Sequence, residues 1–216
     1  MRKLLFWLVF VAIATLLVLG ISGQWGDPML RAYVAVAAAV ALLGAAIVPE
    51  DTARARHKRG PAGADPVSPL VFRSLALGHI VAGALDARWH WSDGVPVGLR
   101  AAGLAVFAVT MSFGLWAVAV NRFFIPAVRI QEERGHQLVT SGPYAWVRHP
   151  GYASMVWAMP ASGLGLGSWT AFALALVFSL VVLRRAALED RFVTENLPGY
   201  GEYAARVRFR LIPGVW

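Results

Sequence analysis

Cysteine is absent from the 216 residues, which excludes disulfides, thiolate metal ligands and cysteine nucleophiles together. Charge is scarce too: Asp, Glu, Lys and Arg make up 15% of the chain, against a hydrophobic share of 58%. No GxGxxG, no glycine-rich phosphate loop and no HExxH occurs, so neither nucleotide hydrolysis nor zinc-peptidase chemistry has support in the sequence. What the chain does have is apolar length. Runs of about eighteen residues or more recur, each long enough to cross a hydrocarbon core roughly 30 Å thick. A mean hydropathy of +0.58 points to an integral membrane protein. The net charge of +8 lies between the apolar runs, a placement that suits membrane lipids rather than nucleic acid.

In chain order, Leu4–Ile21 is predicted as an uncleaved first span, since no small-residue cleavage site follows it. Leu30–Val48, rich in small residues, is the second and is expected to pack closely against the first. Pro49–Pro69 reads as a loop with a basic run at Arg54, Arg56, Lys58 and Arg59 that meets anionic headgroups. The third span, Leu70–Trp91, carries a central His79, for which a helix-to-helix hydrogen bond is the expected role. Val97–Val120 is the fourth. Tyr152–Leu166 and Trp169–Leu183 form a hairpin turned at Gly163–Ser168, and a polar, aromatic tail runs from Arg184 to Trp216. Five to six spans follow. Six would place both termini, the basic loop and the tail on one side, which the positive-inside rule makes cytoplasmic (the plasma membrane, or the inner membrane of a bacterium).

The longest polar run is Gln131–Tyr152, QEERGHQLVTSGPYAWVRHPGY. It carries turn signals at Ser141-Gly142-Pro143 and His149-Pro150-Gly151. Pro150 has no N–H and disfavours the α region at His149, so the next helix is expected to begin at Gly151 or Tyr152. Irregular backbone between membrane helices persists where protein or water satisfies it, as at a site. In the tail, Arg185 and Glu189 lie four apart on one helix face, with Asp190 adjacent. Read alone, that pair serves equally as a helix-end ion pair, His149-Pro150 as a capping turn, and the tyrosines as an interfacial belt.

Taken together, HQLVTSGPYAWVRHPGY (His136–Tyr152) and RRAALEDRFVTENLPGYGEYAARVRFRLIP (Arg184–Pro213) resemble the isoprenylcysteine carboxyl methyltransferase family. That family belongs to a wider set of membrane methyltransferases that includes phospholipid N-methyltransferases. The resemblance covers roughly the last 90 residues, with two departures. Asp190 stands in place of a second glutamate, and Leu197–Gly201 where the family often has a phenylalanine-glycine pair.

The resemblance implies an all-α integral membrane protein with a cytosol-facing S-adenosylmethionine pocket formed by the 121–151 connector and the tail. Residues 1–120 would form a four-span bundle shaping an apolar acceptor tunnel, and 121–216 the methyltransferase core. Carried over by position, Gln131, His136, Leu138, Val139, Tyr144, His149, Pro150, Tyr152 and Glu189 line the cofactor pocket. Arg185 holds the acceptor and, with Glu189, is a catalytic candidate. Tyr144, Tyr152 and Trp146 offer rings to the cofactor, Glu189 an anionic acceptor, and the backbone of Val139–Gly142 an edge for adenine.

The implied acceptor is a lipid-like or prenylated molecule in the bilayer, with no metal. O-methylation of a carboxylate is the leading expectation, with N- or S-methylation of a phospholipid or small hydrophobic acceptor the alternative. A sterol-reductase-like NADPH-dependent oxidoreductase shares a similar tail pattern, and a structural or transport protein is the non-enzyme alternative.

Overall fold

This computed structural model describes residues 2–48, 68–92, 94–125 and 127–216, with side chains from Trp7 in the first segment and Leu70 in the second, and among the described residues six long helices alternate in direction. They are α1 (Arg2–Ser22), α2 (Pro28–Ile47), α3 (Ser68–Trp89), α4 (Val97–Val120), α5 (Pro150–Leu166) and α6 (Trp169–Asn196); a short α7 (Tyr200–Arg206) follows. Four of them, α2, α3, α4 and α6, are long and apolar enough to cross a membrane, and the chain is a multi-pass membrane protein. The basic run at 54–59 lies outside the described residues.

The helix ends follow local chemistry. Asp27 caps α2 by accepting hydrogen bonds from the N–H groups of Met29 (2.8 Å) and Leu30 (3.2 Å), and Pro28 takes the first helical position. The second span therefore starts two residues earlier than its apolar run. The third ends two residues early because His90 adopts a left-handed conformation (φ 51°). The fifth begins at Pro150 itself rather than at Gly151 or Tyr152, since a missing N–H costs nothing in a helix's first turn.

α5 is the central helix, packing against α2, α3, α4 and α6. The small residues that bring helices close are concentrated there rather than in α2: Ala153, Ser154, Ala158, Ala161 and Ser162 are all buried. Gly163, expected as a turn residue, is helical. A Cβ added to it would meet the backbone nitrogen of Phe172 at 2.5 Å, so glycine is required for α5 to lie against the start of α6. The turn itself is Gly167, in the left-handed region at φ 82°. Ser168 then caps α6 by accepting from Ala171 N–H at 3.0 Å.

Within the bundle, the Nδ1–H of His79 donates to Ala76 O (2.8 Å), which leaves Nε2 to accept from Ser162 Oγ (3.0 Å). Ser162 in turn accepts from the Tyr33 hydroxyl (2.7 Å). The expected helix-to-helix bond of His79 thus joins α2, α3 and α5.

One end of the bundle is closed by Arg100–Asp27 at 2.8 Å, by Arg88 donating to Ile21 O at 3.2 Å, and by Ser168 and Ser92 donating to Asp86. The other end gathers the C-terminus of α4, the N-terminus of α5, the C-terminus of α6, the connector and the tail.

Candidate functional site

The connector holds its shape through side chains that replace the missing helical bonds. Asn121 accepts from Phe123 N–H (2.9 Å) and donates to the Tyr144 hydroxyl (3.0 Å). The Gln131 side chain donates to Phe123 O (2.6 Å) and accepts from Arg134 (2.5 Å). Its main-chain N–H donates to Nδ1 of His136 (3.2 Å), whose ring lies 4.5 Å from that of Phe123.

Burial, then the charges of Arg129 and Arg134, hold His136 below the ordinary imidazole value of 6.5. Native His136 therefore takes up its proton at lower pH than the unfolded chain does. The stability it contributes is present above pH 6.5 and is lost as pH falls below it. Protonating Nδ1 also removes the bond from Gln131. Amide exchange across Gln131–Val139 should accelerate as pH drops from 7 to 5, once corrected for intrinsic exchange; His136→Gln should flatten that dependence.

The tail is fastened to the connector by one carboxylate. Asp190, near the end of α6, accepts from Arg148 through Nε (2.8 Å) and Nη2 (3.0 Å), from Tyr200 (2.8 Å) and from Arg210 (2.8 Å). His149 Nε2 lies 3.0 Å from the same carboxylate. The Nη1 of Arg148 donates to Val207 O and Arg208 O, both at 3.1 Å. Main-chain bonds run alongside, from Arg148 N to Phe209 O (3.0 Å) and from His149 N to Arg210 O (2.9 Å). Tyr203 donates to Tyr144 O at 2.7 Å. Burial raises the Tyr144 and Tyr200 hydroxyls above the ordinary phenol value, and the Asp190 charge adds to this at Tyr200; both remain neutral hydroxyls.

Connector, α5, α6 and tail enclose a cleft of about 1050 Å³, its open mouth included. His136, Leu138, Val139 and Tyr144 line it from the connector, and His149, Pro150 and Tyr152 from the start of α5. Arg185 and Glu189 line it from α6. Gln131 is fully buried outside this lining, its amide committed to Phe123 and Arg134. Trp146 also stays outside. It is 57% exposed, stacks on Phe113 and meets Trp116 edge-on.

At the polar pole, the Nε–H of Arg185 donates to the Tyr152 hydroxyl (2.8 Å), which donates to Glu189 (2.7 Å). The arrangement presents a cation, a neutral hydroxyl and an anion within one wall. Among the lining residues outside the sequence-based assignment are Arg148, Tyr200, Tyr203, Asn121 and Phe72. Arg148 stands inside the RHPGY motif, and the two tyrosines inside the tail motif. Asn121 and Phe72 carried no signal.

Residues 101–195 match the isoprenylcysteine carboxyl methyltransferase (ICMT) family. The chain is 32% identical over 145 residues to the cobalt-zinc-cadmium resistance protein CzcN of Cupriavidus metallidurans, which covers 65% of this chain and 57% of that protein. It is 32% identical over 95 residues to the "Probable protein-S-isoprenylcysteine O-methyltransferase" of Oryza sativa subsp. indica, covering 43% of this chain and 50% of that one. The chain spans about half the length of these curated relatives. Among solved structures, the eukaryotic intramembrane Ras methyltransferase ICMT superposes with a TM-score of 0.57 at 18% identity, covering 95% of this chain and 74% of the other; that likeness concerns the fold. The likeness to the isoprenylcysteine carboxyl methyltransferase family thus lies in residues 101–195, which hold the connector, α5 and nearly all of α6.

Proposed function

We propose that the protein is an S-adenosylmethionine-dependent methyltransferase that O-methylates the carboxylate of a prenylated or other lipid-like acceptor, with residues 121–216 as its core. One observation carries the reading: Arg185, Tyr152 and Glu189 form one hydrogen-bonded wall of a cleft that is otherwise largely aromatic and apolar. Bound there, the cofactor would supply an electrophilic methyl group on a sulfonium. The lining suits it, with the rings of Tyr144 and Tyr152 for stacking and cation–π contact and Glu189 for a ribose hydroxyl or the ammonium group. His136, Leu138, Val139, His149 and Pro150 complete the cofactor side, and Gln131 holds the connector from behind.

The protein's part in the chemistry is positioning. A carboxylate acceptor is already nucleophilic at pH 7, and the fork of Arg185 is suited to fix one of its oxygens while the other attacks. An amine acceptor needs a base. His149 is committed to Asp190, and Glu189 accepts the proton of Tyr152, which favours the carboxylate. The tail closes the cleft against water. The positive charge gathered at this end supports a cytoplasmic location for it and for both termini.

Glu189→Ala should leave the fold intact and raise the dissociation constant for S-adenosylmethionine about ten- to hundredfold, the loss of one charge-assisted hydrogen bond. Titration calorimetry in detergent reads it, beside transfer from the labelled cofactor to N-acetyl-S-farnesylcysteine. Unchanged cofactor affinity in Glu189→Ala would remove the pocket assignment.

A further inference from the structure

Asn121 is the first residue beyond α4, and its main chain is held on both sides. Its N–H donates to Ala117 O (3.2 Å), and its carbonyl accepts from Phe124 N–H (3.0 Å). The side chain is fixed as well. Oδ1 must be the atom that faces Phe123 N–H (2.9 Å), because only an oxygen can meet a donor there. Nδ2 is therefore the atom that faces the Tyr144 hydroxyl (3.0 Å). An amide nitrogen accepts nothing, so the hydroxyl accepts from Asn121 and keeps its own hydrogen for another partner. Among the described residues no acceptor takes that hydrogen. Asn121 and Tyr144 both line the cleft, and Tyr144 is buried, so the cleft is the place left for the acceptor. Burial, and beyond it the charge of Glu189, keep the proton on the hydroxyl. The phenol stays a donor.

We propose that Asn121 is a positioning residue for the cofactor: by donating to Tyr144 it makes that hydroxyl a dedicated donor to the carboxylate of the cofactor's amino acid head. This rests on the S-adenosylmethionine reading of the cleft and deepens it. The head is a zwitterion with ammonium and carboxylate on the same carbon, so the site that holds it needs an anionic acceptor and a donor close together. Glu189 supplies the acceptor. Its charge reaches the Tyr144 hydroxyl, which supplies the donor. A hydrogen bond to an ionised group is roughly twice as strong as one between neutral groups, so donation to the carboxylate gains more than donation to a ring nitrogen. The Tyr144 main chain is held independently, its carbonyl accepting from Tyr203 (2.7 Å), and the ring therefore keeps its place when the hydroxyl changes partner.

Affinities of S-adenosylmethionine and of decarboxylated S-adenosylmethionine are measured by calorimetry in detergent, without acceptor, at about pH 8, well above the carboxylate range. The proteins are the full chain as wild type, Tyr144→Phe, Asn121→Asp and the double variant. Asn121→Asp keeps an oxygen for Phe123 N–H but puts a second oxygen where the amide nitrogen stood, and that oxygen takes the Tyr144 hydrogen for itself. The wild type should prefer the carboxylate-bearing form. Tyr144→Phe and Asn121→Asp should each lose about tenfold or more of that preference, the worth of one hydrogen bond to a charged group. Tyr144→Phe should bind the decarboxylated form as the wild type does. The double variant should lose no more than either single one. A Tyr144→Phe protein that weakens both forms alike overturns the proposal, as does an Asn121→Asp protein that keeps the preference or loses both forms. An Asn121→Asp effect that persists in the Tyr144→Phe background comes from the added charge alone and overturns it too. A wild type that binds neither form shows that the S-adenosylmethionine reading itself has failed, whereas one that binds both equally rejects the proposal and leaves that reading standing.

Discussion

Replacing Arg185 by lysine should leave S-adenosylmethionine affinity close to the wild-type value and slow single-turnover transfer to a prenylcysteine carboxylate on the order of a hundredfold, the cost of about 1 Å of misplacement. Lysine keeps a positive charge but has no Nε–H on a rigid plane. The hydrogen bond to Tyr152 (2.8 Å) depends on that Nε–H, and the guanidinium carbon lies 5.2 Å from the centroid of the Phe72 ring. At a site where the arginine is 1% exposed, an ammonium also sheds its proton more readily than a guanidinium does. A helix-end ion pair with Glu189 tolerates lysine, and so does an amine acceptor, beside which a fixed cation is unhelpful. Cofactor affinity and single-turnover transfer, measured side by side, separate these cases. Near-normal transfer in Arg185→Lys would sink the carboxylate reading and bring N- or S-methylation forward.

The bundle was legible in the sequence because apolar length speaks directly to membrane crossing, and alternating spans leave little freedom in topology. What the sequence hid were the capping and close-approach details. By sequence, Pro150 reads as a block before a helix that starts at Gly151 or Tyr152, although proline is welcome at a first helical position. Gly163 was read as a turn, although its lack of a Cβ serves helix packing 2.5 Å from Phe172 N.

At the site, His149, Pro150, Tyr152, Arg185 and Glu189 could be gathered because short motifs place them locally, whereas Arg148, Tyr200 and Tyr203 stand in the same motifs without any mark that they turn into the cleft. Gln131 had the right neighbourhood but turns its amide into the connector, which no spacing reveals. Phe72 reaches the cleft only through the tertiary packing of α3 on α6, across more than a hundred residues of chain. A phenylalanine in an apolar run carries no mark of that.

Asp190→Ala should be the most damaging single change at this end of the protein. A buried ion pair adds little stability over a well-packed apolar substitute, but removing one partner strands the other and costs about 3–5 kcal/mol. Here the loss strands more than one group. Arg148 is 8% exposed at its side chain, and its Nε and Nη2 would both lose their acceptor, as would Tyr200 and Arg210. His149 loses the partner that fixes its ring against the cleft.

The main-chain bonds from Arg148 to Phe209 and from His149 to Arg210 remain, but with two uncompensated cations beside them the tail is expected to lift. Protease cleavage within residues 197–216 should then accelerate and cofactor binding should fall with it, whereas Glu189→Ala should weaken binding without exposing the tail. Asp190→Asn separates charge from shape: its amide oxygen can still accept, but its NH₂ meets Arg148 or Arg210 donor to donor, so it should fall between wild type and alanine. If Asp190→Ala keeps a protease-resistant tail and normal cofactor affinity, the closure of the cleft must come from the apolar contacts of Leu197, Tyr200 and Tyr203 with Ile130 and Leu138, and the carboxylate is not the clamp.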